Sequence, residues 1–293
     1  MIVTLKNKSA IAQIDSKGAE LISYKDVFGT EYMWQKDPKY WAKTSPVLFP
    51  IVGNLRGDTT IIDGREYHMS KHGFCRTVEF KVTYQSDEKA IFTYTYNDET
   101  LAMYPYKFSL TLTYSLSGAE LQIQYSVMNL DERGIDYTFG AHPGFNVPVD
   151  GNGGFEDYCL EFDQPETAGC PVYDFDKNEI NMSNRADFTN GTNKMMLKYS
   201  DFDNDAIMFD QPKSSKVKLY SIKTGRGVEM DFGDFDFIAF WTPIKMDAPF
   251  LCMEPWCGMA VCSDEGDEFA KKRGCKHLPV GEQHNYKLKI MPL

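Results

Sequence analysis

Two runs at 109–116 and 121–127, "SLTLTYSL" and "LQIQYSV", alternate polar and apolar residues without a break, and "SGAE" separates them. Successive side chains of a strand point to opposite faces, so each run has one apolar and one polar face, and the break lets the second fold back on the first. The segment predicts an antiparallel hairpin buried on one side. The pattern recurs in "MIVTLKN" with "SAIAQID", in "VEFKVTYQ" with "AIFTYTYN", and in "KVKLYSIK" with "GVEMDFG". Helical spacing is scarce. "DSKGAELISYKD" at 15–26 has some, but Gly18 and the following "VFG" favour a strand and turn. The expected fold is all-β, a large antiparallel sandwich with at most two or three short helices.

Hydrophobic residues make up 42% of the 293 and aromatics 14%, enough apolar surface for one thick core. No Ser/Gly/Pro linker divides the chain, so residues 1–293 are expected to form a single domain. The polar, irregular stretch 164–194 reads as an excursion over the surface of that domain.

Charge excludes one class of partner. A net charge of −11 with no run of Lys and Arg repels a polyphosphate backbone, so nucleic acid is not an expected partner. The longest apolar runs, such as "FIAFW" at 237–241, fall far short of the roughly 20 residues that span a bilayer. The N-terminal segment alternates and contains lysines where a signal peptide needs an apolar stretch of roughly 7–15 residues. A soluble cytoplasmic protein, monomer or homodimer, without a membrane partner is expected. Among the seven cysteines, Cys252, Cys257 and Cys262 stand five apart, wider than zinc-site pairs, and all read as reduced thiols, mostly packing residues.

Few residues are suited to proton transfer. His68 and His72 in "HMSKH" have helical metal-site spacing but lack the intervening Glu, and "DGREY" before them predicts a hairpin. In "KHGFCR", Gly73 lets a ligand approach His72, although a loop histidine bonded to backbone fits as well. In "GAHPGFN", His142 is followed by a stiffening proline, a space-clearing glycine and a hydrogen-bonding amide. Glu254 sits in "APFLCMEPW", where a carboxylate is costly unless it is used or bridged to a basic partner. Its apolar neighbours should raise its pKa, and its charge, if it lies near His142, should raise the imidazole's. Arg56 in "FPIVGNLRGD" either presents its guanidinium to a polar ligand or makes a loop salt bridge.

Taken together, "SPVLFPIVGNLRG", "KHGFCR", "GAHPGFNVP", "DAIMF" and "FWTPIKMDAPFLCMEPW" resemble, in order and setting, the aldose 1-epimerase (galactose mutarotase-like) family, and within it the LacX-like branch. The resemblance spans nearly the whole chain. It implies a β-supersandwich that interconverts the α and β anomers of a hexose or hexose phosphate without cofactor or metal. By the same resemblance Glu254 is the general base on the anomeric hydroxyl and His142 the general acid on the ring oxygen. His72 and Arg56 hold the sugar, and Asp205, crowded by Asp201, Asp203 and Asp210, binds ring hydroxyls. Galactose mutarotases of the family carry a bulky aromatic two positions after the histidine, where this chain has Gly144.

Lys71, Arg56 and Arg76 offer a basic rim for a phosphate, and Phe74, Phe145 or Trp241 a flat face for a sugar. Two other readings compete. A binding protein of the same fold has no need of an acid and a base together. A metal site of His72, His142 and Glu254 lacks the usual H-x-D/E pair.

Overall fold

Each hairpin read from alternation is present in the computed structural model, which describes residues 1–293. Phe108–Ser117 pairs antiparallel with Glu120–Asn129, and Gly118 takes the positive φ that the two-residue turn requires. Burial along Phe108–Ser117 alternates strictly until its last residue, as a strand covered on one face should.

This pair lies within a nine-stranded antiparallel sheet. From Lys194–Met196 at one edge the sheet runs through Tyr158–Phe162, Lys216–Ser221, Gly227–Asp231 and Gln283–Pro292. It continues through Glu120–Asn129, Phe108–Ser117 and Lys89–Thr95 to Lys81–Gln85. The N-terminal strands Ile2–Lys6, Ala10–Asp15 and Glu20–Asp26 form a separate three-stranded sheet, so 15–26 is a turn and a strand. The single α-helix, Asp98–Met103, is capped by Asn97, whose side chain accepts from the Thr100 amide; the other helical pieces are 3₁₀ turns.

A second, six-stranded sheet carries the chemistry. Its centre is Phe250–Cys257, buried at every position, flanked by Phe237–Trp241 on one side and by Phe139–Ala141 and Gly144–Asn146 on the other. Leu251, Met253 and Cys257 enter the main core. The alternate residues Cys252, Glu254 and Trp256 point the other way. A strand covered on both faces shows no alternation of polarity, which is why this segment reads as one apolar run holding a single carboxylate.

The segment 164–194 is a correction. It contains a paired hairpin, Cys170–Asp174 with Glu179–Ala186, docked on the rest of the chain through a bridge from Ile180 to Cys262. Its polar composition reflects its exposed residues, while Ile180 is fully buried. All seven cysteines are free thiols, six of them buried. No helix is long and apolar enough to cross a membrane.

Candidate active site

The site begins with a register. Gly140 pairs with Trp256 and Gly144 with Cys252, so the two short strands bracket His142 and bring it opposite Glu254 on the facing strand. Pro143 interrupts the ladder, and its carbonyl accepts from the Met253 amide at 3.0 Å. The histidine and the glutamate are cross-strand neighbours, 112 residues apart in the chain and 3.1 Å apart between Nε2 and Oε2. Both are buried, at 6% and 1% exposure.

Aromatic rings hold this pair. Trp41 stacks on the His142 ring with centroids 4.9 Å apart, and Trp241 meets it edge-on at 5.8 Å. Gly144 lets these rings pack closely: a Cβ there would stand 3.3 Å from Trp41 Cζ3, Trp34 Cβ and the Thr44 carbonyl, tighter than an ordinary contact. Gly140 serves the neighbouring position, where a Cβ would lie 2.6 Å from Trp256 Cδ1.

The pair opens into a cavity of about 250 Å³. His72 lies on its wall, edge-on to His142 at 5.5 Å, with its own φ at +68°. The Gly53 amide donates to His72 Nδ1 at 3.1 Å, so in the neutral ring Nε2 carries the proton and is the donor available to a ligand. Asp205, also at positive φ, contributes a carboxylate with no hydrogen-bond partner, and Lys71 and Arg76 line the cavity without a carboxylate partner. Two buried polar atoms of lining residues, His142 Nδ1 and Trp256 Nε1, lack a hydrogen-bond partner, and Glu254 Oε2 has only its ionic contact with His142. Buried polar groups are nearly always satisfied, so this concentration marks a place built for a polar ligand.

Electrostatics differ from the expectation in one respect. Burial pushes Glu254 well above its ordinary pKa, reinforced by Asp205 and opposed by Lys71. Burial also pushes His142 down, and Lys71 and Arg76 add to that. The imidazole is therefore not raised by its carboxylate neighbour, because removing both groups from water favours their neutral forms. The pair shares one proton over a wide pH range. His72, buried and beside His142, is likewise held neutral.

Of the residues expected at the site, the structure brings together His142, Glu254, His72 and Asp205, and it leaves out Arg56. That guanidinium bonds Asp267 at 2.5 Å and Glu179 at 3.4 Å, and it does not line the cavity. The loop salt bridge, open as an alternative from the sequence, is what forms. Asp210, one of the crowding aspartates, is paired with Arg185. Phe74 and Phe145 are core residues, whereas Trp241 lines the cavity. Among metal-binding side chains, His142, Cys252 and Glu254 converge within 4.8 Å, not the His72, His142 and Glu254 set. Burial raises the Cys252 thiol well above its ordinary pKa, which suits a protonated packing group behind the pair.

Trp41, Asn54, Tyr173, Ile180 and Met208 also line the cavity and were not singled out in the sequence. Asn54 and Met208 fall inside the motifs without standing out, and Tyr173 and Ile180 lie on strands of the polar stretch 164–194, far from any motif.

Comparison with known proteins agrees with this geometry. The aldose 1-epimerase family profile matches residues 1–272. The chain belongs to the aldose 1-epimerase family. It is 36% identical over 287 residues to the plasmid-encoded protein LacX of Lactococcus lactis subsp. lactis, an alignment covering 96% of each chain. Among solved structures it superposes on a galactose mutarotase related enzyme from Lactobacillus acidophilus with a TM-score of 0.94 at 29% identity, covering 100% of this chain and 97% of that one. A galactose mutarotase-like protein from Lactobacillus casei gives 0.93 at 28% identity, with both chains covered fully. The fold of this aldose 1-epimerase family member is thus the galactose mutarotase-like supersandwich expected from its motifs.

Proposed function

We propose that this aldose 1-epimerase family member is a mutarotase that interconverts the anomers of a hexose or hexose phosphate, with Glu254 and His142 as its acid–base pair. The observation that carries the reading is the buried 3.1 Å contact between His142 Nε2 and Glu254 Oε2 on the cavity wall. Opening a cyclic hemiacetal removes a proton from the C1 hydroxyl and delivers one to the ring oxygen as the C1–O5 bond breaks. The carboxylate takes the first proton and the imidazolium gives the second. Rotation about C1–C2 presents the other face of the aldehyde, and reclosure returns both protons. The pair holds one proton before and after every step; burial favours it on Glu254, and its passage to His142 across the 3.1 Å contact gives the reacting carboxylate and imidazolium. Each positioned transfer is worth roughly 10²–10⁴ in rate, together about 5–11 kcal/mol off the barrier.

The other lining groups suit such a substrate. His72 Nε2–H and the Asp205 carboxylate supply a donor and an acceptor for hydroxyls, and Trp241 supplies a flat surface for C–H groups. Lys71 and Arg76, unpaired cations on a chain of charge −11, favour a phosphorylated hexose over a neutral one. Polarimetry on freshly dissolved anomers of D-glucose, D-galactose and their 6-phosphates tests the reading. Anomer equilibration should quicken with parent protein and not with Glu254→Gln. A parent no faster than buffer would leave a sugar-binding protein of the same fold, and a Glu254→Gln protein as fast as the parent would remove Glu254 from the chemistry.

A further inference from the structure

Arg56, excluded from the cavity, sits where the cavity's outer wall is tied down. We infer that the hairpin Cys170–Ala186 is the wall that sets sugar affinity, and that Arg56 is a positioning residue acting on the substrate through it. The inference rests on the mutarotase reading for its substrate class.

Two residues of the hairpin, Tyr173 and Ile180, face the cavity. The remaining contacts hold them there. Ile180 exchanges backbone hydrogen bonds with the segment after Gly258, donating to the Val261 carbonyl at 2.8 Å and accepting from the Ser263 amide at 2.9 Å. The turn between the strands is fixed from below, where Asn54 Nδ2 donates to the Asn178 carbonyl at 2.9 Å. The Tyr173 hydroxyl bonds the Asn178 side chain across that same turn, which fixes the ring's orientation.

Arg56 bonds both partners of this junction. One side of the fork reaches Glu179 on the hairpin. The nitrogen on that side, Nη2, also faces the Cys262 and Glu265 carbonyls at 3.4 and 3.3 Å, on the segment that Ile180 pairs with, while Nη1 reaches Asp267. Arg56 and Asn54 belong to one turn, so residues 54–56 grip the hairpin at two adjacent positions. The hairpin's other anchors lie away from its turn: Cys170 in the main core, the Met182 amide on Ser263 Oγ, and Arg185 on buried Asp210. Apart from Ile180, which joins a nine-residue apolar cluster with Met208 and Trp256, its side chains at 179–186 are half-buried or exposed. Without the guanidinium, Glu179 loses its cation, and the ring of Tyr173 loses its fixed place beside the sugar.

The test compares the parent with Arg56→Gln, Arg56→Lys, Glu179→Gln, the Arg56→Gln/Glu179→Gln double variant and Tyr173→Leu. It measures kcat, KM and calorimetric Kd for D-glucose, D-galactose and their 6-phosphates, with hydrogen exchange of 172–184. Arg56→Gln and Glu179→Gln should each raise KM and Kd roughly 5- to 20-fold with kcat within about twofold, the double variant no further than the worse single one. Arg56→Lys should recover part of the loss, Tyr173→Leu should reproduce it, and exchange in 172–184 should quicken about tenfold in the Arg56→Gln protein. A fall in kcat at constant KM, additive effects, or unchanged exchange would overturn the inference. If the parent binds sugars in an Arg56-dependent way but turns none over, the mutarotase reading fails and the positioning role stands. Turnover with KM indifferent to Arg56 gives the reverse, and no binding of any of the four sugars refutes both.

Discussion

The strand Phe250–Cys257 and the hairpin Cys170–Ala186 both line the cavity, but different forces hold them. The strand is buried at every position and hydrogen-bonded along both edges, so Glu254 and His142 are set against each other by sheet register alone. The hairpin is mostly half-exposed and is held by buried Ile180 and Cys170, a few backbone bonds and the ion pairs of Arg56 and Arg185. Groups that exchange protons need positions fixed to a fraction of an ångström, which a ladder in a packed core supplies. Groups that select a sugar can stand on a separable element, whose side chains can change without disturbing the chemistry. Damage to the strand should therefore appear in kcat, and damage to the hairpin in KM.

The largest expected effect is on the strand. Glu254→Gln keeps the shape and removes the base, and should lower kcat by about 10²–10⁴, as should His142→Asn, with the double variant little worse than either. Folding should survive, since neither change leaves a buried charge without a partner. Steady-state polarimetry with circular dichroism checks both, and a Glu254→Gln protein within a few-fold of the parent would break the distinction.

Trp41 tests whether the inner wall needs its aromatic cover. Its ring covers the His142 imidazole, favouring the imidazolium during transfer and fixing its plane. Trp41→Leu should lower kcat about tenfold and Trp41→Phe less, with KM little changed. A Trp41→Leu protein that loses affinity and keeps kcat would place this residue with the hairpin instead.

The pH dependence sharpens the account of the pair. Because burial lowers His142 and raises Glu254, the acid limb of kcat/KM should lie below the ordinary imidazole value of 6.5, leaving a broad plateau. A limb at 6.5 would mean an imidazole that burial does not perturb.

Stability carries a smaller signature. Between the ordinary values of 4.5 and 6.5 the unfolded chain holds one proton on these two groups, as His142 imidazolium, and the folded pair also holds one. The pair's contribution is then level with pH. Below 4.5 the unfolded Glu254 takes up a second proton, so stability is lost as pH falls. Above 6.5 the unfolded His142 loses its proton while the folded pair keeps one, so stability is lost as pH rises. Each slope is at most about 1.4 kcal/mol per pH unit. Subtracting the melting profile of the His142→Asn/Glu254→Gln double variant from the parent's should reveal this plateau; a monotonic difference would contradict it.

What the sequence disclosed follows the same division. Strand alternation is local, so the hairpins and the all-β class could be read directly. The lone carboxylate in "FLCMEPWC" and the histidine followed by proline and glycine in "HPG" marked the pair, because a charge in an apolar run and a stiffened histidine are local irregularities. Arg56 could not be assigned, since a loop arginine looks the same whether it meets a sugar or Glu179 and Asp267. Trp41 and Tyr173 were hidden for a related reason: in a chain with 41 aromatic residues, one that lines a cavity has the same local sequence as one in the core. Burial's opposite pull on the two pKa values depends on how completely both groups leave water, which is a property of the packed sheet.

The most direct measurement follows anomer exchange by NMR in heavy water with purified protein and a hexose or hexose 6-phosphate. Proton transfer between oxygens, the only chemistry asked of Glu254 and His142, predicts protein-dependent exchange of the α and β signals with no deuterium at C1 or C2 and no ketose, abolished by Glu254→Gln. Deuterium appearing at C2, dependent on Glu254, would show proton abstraction from carbon and contradict the mechanism, and exchange no faster than in buffer would contradict the activity itself.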